Sequence, residues 1–282
     1  MRCSPGCTPA LANKLPPLSC RPTAPSPKVA TFPLTNHDSD RIKALSLLRK
    51  RSIGNVRAAI TLLTSASLRN PDDLTLQLEL AEAHNTAARI LTYGNAIILE
   101  GTLENANFKR IWKEHGDRAL PLAKAAYKKK VHGVRSLAAY AEAFMYSASS
   151  KGILQQAISG SGIEFKRFSN ELRAYPEFDS SVGSAYLGCF YNVAPWPIGD
   201  KFQAAKYLQE GIDRAPSRRN LYYAGVNAFQ MGHYVKASDY FGRAMRSSCG
   251  SDTERDFGEW LLIESRRGLE MSKSRARGSD AI

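Results

Sequence analysis

Five histidines, five cysteines and one run of cations are the residues whose chemistry comes first. The histidines stand at 37, 84, 115, 132 and 233. Zinc held by one helix needs two histidines four residues apart with a carboxylate between them, and no pair has that spacing. His84 and His115 fall in different helical segments, so only an accident of packing would bring them together. Cys3, Cys7 and Cys20 gather near the start without a histidine at zinc-finger distance. Cys189 and Cys249 lie within helical patterns, where a thiol behaves as a small apolar side chain; the expectation is reduced thiols outside any oxidising compartment. The stretch Ser159 to Gly162 is glycine-rich, but no strand leads into it, so it reads as a flexible break rather than a phosphate loop. No nucleophile elbow or paired-cysteine motif is present. These residues predict no catalysis, hence no enzyme, no metal site and no cofactor.

The cations Lys128, Lys129, Lys130 and Arg135 with His132 make a short patch with Tyr127 as its one stacking aromatic, which is poor for nucleic acid. Cations at a helix C-terminus complement its dipole, and Gly133 reads as the helix stop. The net charge of +13 is spread along the chain, with Arg2, Lys14, Arg21 and Lys28 in the leader and Lys273, Arg275 and Arg277 near the end. Such a spread favours acidic partners without forming a concentrated nucleic-acid footprint, so nucleic acid is disfavoured as a partner. No apolar run reaches the length of a transmembrane segment; Ala96 to Leu99 is far too short.

Residues 1–37 are rich in Ser, Thr and Pro, free of acid and modestly basic, the composition of a transit peptide for a plastid or mitochondrion. A disordered leader on a cytoplasmic protein is the alternative. From Asp38 onward apolar residues recur at three and four, turn signals arrive about every fifteen residues, and strand-like alternation is missing. That pattern predicts an all-helical domain over 38–270, followed by a basic disordered tail over 271–282.

Within this domain a spacing repeats. Ala204, Leu208, Gly211 and Pro216 are followed 33 residues later by Ala237, Phe241, Ala244 and Cys249. The same spacing returns as Ala59, Leu63, Ala66 and Pro71, more loosely as Ala119, Ala123, Ala126 and Val131, and in part as Phe168 and Pro176. Small residues four and three apart share one helical face, so a neighbouring helix comes close while the single large residue fills the gap beside it. The proline then ends the helix.

The unit carrying Leu221, Ala224, Gly225, Ala228, Gly232, Tyr234, Ala237, Phe241 and Ala244 resembles a tetratricopeptide repeat (TPR). The resemblance implies a right-handed superhelix, or α-solenoid, of about five helical hairpins plus a C-terminal capping helix. It also implies that Gly225 and Ala237 mark the contact between the two helices of a unit. Aligning Gly188 with Gly225 leaves four extra residues, all within Tyr191 to Asp200. That stretch is an enlarged turn: Pro195 and Pro197 forbid helix, Gly199 permits unusual backbone angles, and Asp200 caps the next helix. Trp196 is then either turn filling or a lip over a groove.

With Tyr191, Pro195, Gly199, Asp200 and Pro216, the chain over roughly 73–250 is also similar to the T components of TRAP-type transporters. That likeness implies a periplasmic, lipid-anchored, ligand-binding protein. The lipid anchor does not carry over, because no apolar stretch precedes Cys20.

Two further segments are expected to pack. Leu91 to Asn107 is far longer than a hairpin turn needs, and Ile97, Ile98 and Leu99 in it read as a cover for a neighbour. From Ser251 a helix with Ser251 and Glu254 in capping-box spacing presents Phe257, Trp260 and Leu261 on one face, suited to closing the last repeat. Function is expected to be binding. One reading is a scaffold for a protein partner on the concave face, with Tyr222 and Phe229 as groove residues or as plain core. The others are a small-molecule carrier with an internal cavity, as the transporter likeness implies, and RNA binding by an organellar helical-repeat protein.

Overall fold

The computed structural model describes residues 36–152 and 160–279. The leader read for organellar targeting, with its three cysteines, lies outside the described residues except for Asn36 and His37, which open the first helix; Ser159 lies outside as well. Among the described residues there are twelve α-helices and no strand: α1 (Asn36–Arg49), α2 (Ile53–Arg69), α3 (Leu74–Thr92), α4 (Ala106–Lys128), α5 (Val134–Ser149), α6 (Ser161–Arg173), α7 (Val182–Val193), α8 (Lys201–Arg214), α9 (Arg218–Gln230), α10 (Tyr234–Arg246), α11 (Asp252–Arg255) and α12 (Gly258–Ser279). Consecutive helices pair into five hairpins from α1–α2 to α9–α10, and α12 lies across α9 and α10. First helices also touch along the inner face, α3 against α5 and α7 against α9.

Local chemistry starts these helices where the sequence says it should. Ser52, Asp73, Asn105, Asp200, Ser217 and Ser251 each accept a backbone N–H from the first turn that follows, at about 1 kcal/mol per cap. The repeated face is buried throughout: Ala59, Leu63 and Ala66 in α2, Ala119, Ala123 and Ala126 in α4, Phe168 in α6, Ala204 and Leu208 in α8, and Ala237, Phe241 and Ala244 in α10. Pro216 follows the last turn of α8. A Cβ on Gly188 would stand 2.5 Å from Leu208 Cγ, and one on Gly225 2.6 Å from Phe241 Cε1. One on Gly268 of α12 would stand 2.7 Å from the same Phe241 ring. Phe241 is therefore pressed between two glycine faces, and the tight contact at Gly225 is with this ring rather than with Ala237.

Several expectations need correction. Residues 271–279 are not a loose tail, because α12 runs through them with Ser272 buried and Met271 against the core. The helix expected from Ser251 is broken at Asp256 and Phe257. Glu254 does not return its carboxylate to Ser251; it accepts from Gly250 N at 3.0 Å and Arg219 N at 2.6 Å, so it secures the start of α9 instead. Gly133 opens α5, since α4 has already ended at Lys128 and the chain turns through left-handed Lys130 and His132. The expected flexible break turns at left-handed Gly160, and Ser161 and Gly162 form the first turn of α6. Gly199 has no unusual φ; it is needed because a Cβ there would collide with Ala194 O.

Candidate functional site

Three consecutive residues at the end of α3, Tyr93, Gly94 and Asn95, adopt left-handed backbone and throw the chain out of the helix. The strap that follows, residues 96–105, crosses to the far end of the array. Ala96, Ile97 and Leu99 enter the same core cluster as Tyr222, Phe229 and Leu261. Burying Ile97 and Leu99 contributes about 2 kcal/mol each. The strap's backbone is held too: Gln230 Nε2 donates to Ile98 O at 2.8 Å. Gln230 Oε1 accepts from Asn192 Nδ2 at 3.0 Å, and Asn192 Oδ1 accepts from Asn227 Nδ2 at 2.8 Å. An amide ladder thus joins α7, α9 and the strap. At the strap's root, Tyr93 stacks on Trp260 with ring centroids 5.2 Å apart, and Gly94 lies against the Phe257 ring.

An ionic latch closes the same ends. The side chain of Asp256 is fully buried. Its carboxylate accepts from both Arg51 nitrogens at 2.6 Å and from Arg89 Nε at 2.7 Å. Arg89 also pairs with Glu142, which accepts from Tyr146 Oη at 3.1 Å. Burial alone would lower the Arg89 pKa, but Glu142 and Asp256 outweigh it and raise the value well above the ordinary one. Burial pushes Glu142 upward against the pull of Arg89. Two cations thus face the two buried carboxylates, with the exposed Asp252 3.9 Å from Arg51 at the rim.

Between the strap and the C-terminal ends of α5, α7 and α9 lies a cavity of about 350 Å³. Its inner wall is Ala96, Ile97, Trp112, Ala148, Phe190 and Tyr223, all buried; Phe144, Met145, Phe165 and Cys189 continue it. Exposed Ile163, Val193, Pro195 and Ile198 mark its mouth. Glu104 is the charged residue of the described wall, and Lys109 neutralises it at 2.5 Å. The polar amides are spoken for: Asn95 donates to Ser149 Oγ at 3.0 Å, and Asn192 and Gln230 sit in the ladder. Two phenols differ. Tyr186 and Tyr223 line the cavity, and their hydroxyls make no hydrogen bond among the described residues. Burial raises both pKa values well above the ordinary one, which keeps each a neutral donor. Cys189 is pushed up to about 12 by burial, so its thiol is inert.

The residues expected to form a groove fall on both sides of this site. Tyr222 is 0% exposed and Phe229 7%, so both are core and no peptide reaches them. Trp196 is 90% exposed, beside the mouth residues Pro195 and Ile198. The packing residues Gly188, Leu208, Gly225 and Phe241 hold the helices that carry the wall. The strap is legible in the sequence as a packing segment, whereas Gln230, Asn192 and the two phenols carry no motif that marks them. His84 and His115 do meet, Nδ1 to Nδ1 at 3.1 Å and both buried. No group of three or more metal-ligating side chains occurs among the described residues. Nor is any described helix long and apolar enough to cross a membrane.

No protein-family model matches the chain, and no curated protein matches it. Among solved structures it is similar to a thermophilic TPR protein of Thermus thermophilus, at 14% identity over 83% of this chain and 98% of that one, with a TM-score of 0.56. The fold is TPR-like. A tetratricopeptide repeat protein from Parabacteroides merdae aligns over 82% of this chain and 98% of that one at 14% identity, with a TM-score of 0.29, too low to bear on the fold. The inner face of this array is already occupied by its own strap and latch.

Proposed function

We propose that this chain is a non-catalytic binding protein that holds one neutral, predominantly apolar small molecule between the strap and the helix ends. The observation that carries this reading is the cavity. Its volume lies within the range of small-molecule sites, and such sites combine apolar walls with a few unspent polar groups. A ligand carboxylate or ammonium would lose its hydration and find no opposite charge, because Glu104 is already paired. A ligand carbonyl, ether or hydroxyl oxygen would instead accept from Tyr186 or Tyr223. The likeness of Tyr191 to Pro216 to transporter T components supports the same reading. The filling of the inner face by the strap favours it over capture of a protein segment there.

The test is titration with N-phenyl-1-naphthylamine, a neutral apolar dye, against the wild-type protein and Ala148→Trp. Ala148 lines the cavity, so an indole there occupies the ligand's volume. The expected result is saturable binding of one dye per chain and at least about a tenfold loss in the variant, equivalent to about 1.4 kcal/mol. A variant that folds and binds the dye as tightly as wild type would remove the cavity from the account.

A further inference from the structure

The cavity mouth continues outward into a surface of a different kind. Val193 and Ile198 show one part of themselves to the cavity and another to solvent. Beside them Trp196 is 90% exposed and Phe202 72%, and Ile163 across the mouth is exposed as well. Monomeric proteins do not normally gather large apolar side chains on one protruding edge. The edge is also built to keep its shape: Ile198 N and Gly199 N both donate to Pro195 O at 3.0 Å, and Asp200 N donates to Tyr191 O at 3.0 Å. Trp196 sits between two prolines on this closed turn, so its ring is held out from the body.

The charges around the edge are in positive excess. Asp200 caps α8 through Phe202 N and Gln203 N and keeps its one negative charge, while Glu164 pairs with Arg167 at 2.7 Å. Lys166, Lys201 and Lys206 enter no ion pair among the described residues. Lys166 stands over the Tyr191 ring at the root of the turn, Lys201 donates to Gln230 O at 3.4 Å, and Lys206 follows Phe202 by one helical turn on the same face of α8.

We propose that this lip docks on an anionic phospholipid bilayer, with Trp196 and Phe202 entering the headgroup region and the lysines facing lipid phosphates. The occupant follows from area and chemistry. A stable second copy or folded partner needs roughly 20–30 residues a side, and this edge offers a handful around one turn. A bilayer needs no matching shape. It takes up amphipathic indole rings at its interface and attracts juxtaposed lysines through its negative surface potential. The docking site stands on exposure and charge alone. Its purpose, passage of an apolar ligand between bilayer and cavity without crossing water, rests on the reading of the cavity above.

Flotation of the full chain with vesicles of phosphatidylglycerol and phosphatidylcholine tests the lip. Wild type is expected to float with these vesicles and to float less with phosphatidylcholine alone. The double variant Trp196→Asp, Phe202→Asp is expected to partition about tenfold less or weaker still, both positions being exposed and outside the core. Ala148→Trp is expected to float like wild type, so a failure of the cavity reading would leave this result intact. The emission lost on Trp196→Phe should shift to the blue when vesicles are added. A wild-type chain that stays at the bottom of the gradient, or a double variant that floats undiminished, would overturn the proposal. So would sedimentation showing a dimer that the double variant abolishes, which would give the lip to a second copy.

Discussion

The guanidinium of Arg51 grips the carboxylate of Asp256 through two hydrogen bonds of 2.6 Å across 205 positions of chain. An open repeat array holds each unit through its neighbours only, so its ends are free to fray. Here the turn after the first helix and the entry to the last are locked together, with Arg89 as a second hand on the same carboxylate. Asp256→Ala leaves Arg89 with Glu142 alone and Arg51 with only the distant, exposed Asp252. The expected cost is about 3 kcal/mol in urea unfolding, the low end for removing one partner of a buried pair, because Arg89 keeps a carboxylate. A loss under about 0.5 kcal/mol would show that the latch does not hold the ends.

The clamp on Phe241 predicts a coupled pair of substitutions. Gly225→Ala adds a methyl where the ring already stands 2.6 Å from the Cβ position, and overpacking of this kind costs about 1 to 3 kcal/mol. Phe241→Leu creates space and carries its own cost from lost packing. In the double variant the methyl is expected to refill part of that space, so the combined loss is smaller than the sum of the two single losses. Strict additivity in thermal unfolding would mean that the helices do not meet through this ring.

How much of this can be read from letters alone is clear at particular residues. Ala204, Leu208, Ala237 and Phe241 announce the repeat because a helix face needs its small and large residues at fixed intervals. Ser251 through Leu261 announce a cap, and its apolar face is buried as expected. Tyr222 and Phe229 cannot be assigned from spacing, because helical periodicity finds a buried face without saying what covers it. Tyr222 is covered by Phe241 and by Trp260 of the last helix, and the strap that shares their core cluster branches off more than a hundred residues earlier, where Ile97 and Leu99 show only that something apolar must be packed. Asp256 is invisible for the same reason: its partners lie at 51 and 89, and nothing local marks a carboxylate as a latch. The phenols of Tyr186 and Tyr223 gain meaning only from the bonds they do not make.

The buried imidazole pair predicts a pH dependence. Burial, then the charge of His115 and of Arg118, lowers His84 from 6.5 to about 4, and burial lowers His115 as well, with Glu114 opposing and Arg118 and Arg57 adding to it. Between those values the unfolded chain takes up a proton that the folded chain refuses. Stability from the neutral His84 ring is therefore complete above pH 6.5 and is lost as the pH falls toward 4, by about 3 kcal/mol. His84→Gln should flatten the stability profile in that window. A variant profile parallel to wild type would contradict the assignment.

The unspent phenols predict selectivity inside the cavity. The dye 6-propionyl-2-dimethylaminonaphthalene carries a ketone that Tyr186 or Tyr223 can donate to. Removing both hydroxyls with Tyr186→Phe and Tyr223→Phe is expected to weaken its binding about fivefold or more, at about 1 kcal/mol for a lost hydrogen bond. N-phenyl-1-naphthylamine, which has no acceptor oxygen, should be held as before. Equal losses for both dyes would mean that the phenols shape the wall without donating.

Native mass spectrometry of the purified protein puts the central idea to its most direct trial. The account predicts a population heavier than the bare chain by one neutral, solvent-extractable apolar molecule, absent from Ala148→Trp and replaced in wild type, after extraction and incubation with N-phenyl-1-naphthylamine, by that dye's own mass. A wild-type chain that stays bare both as purified and in excess dye, while correctly folded, would contradict it.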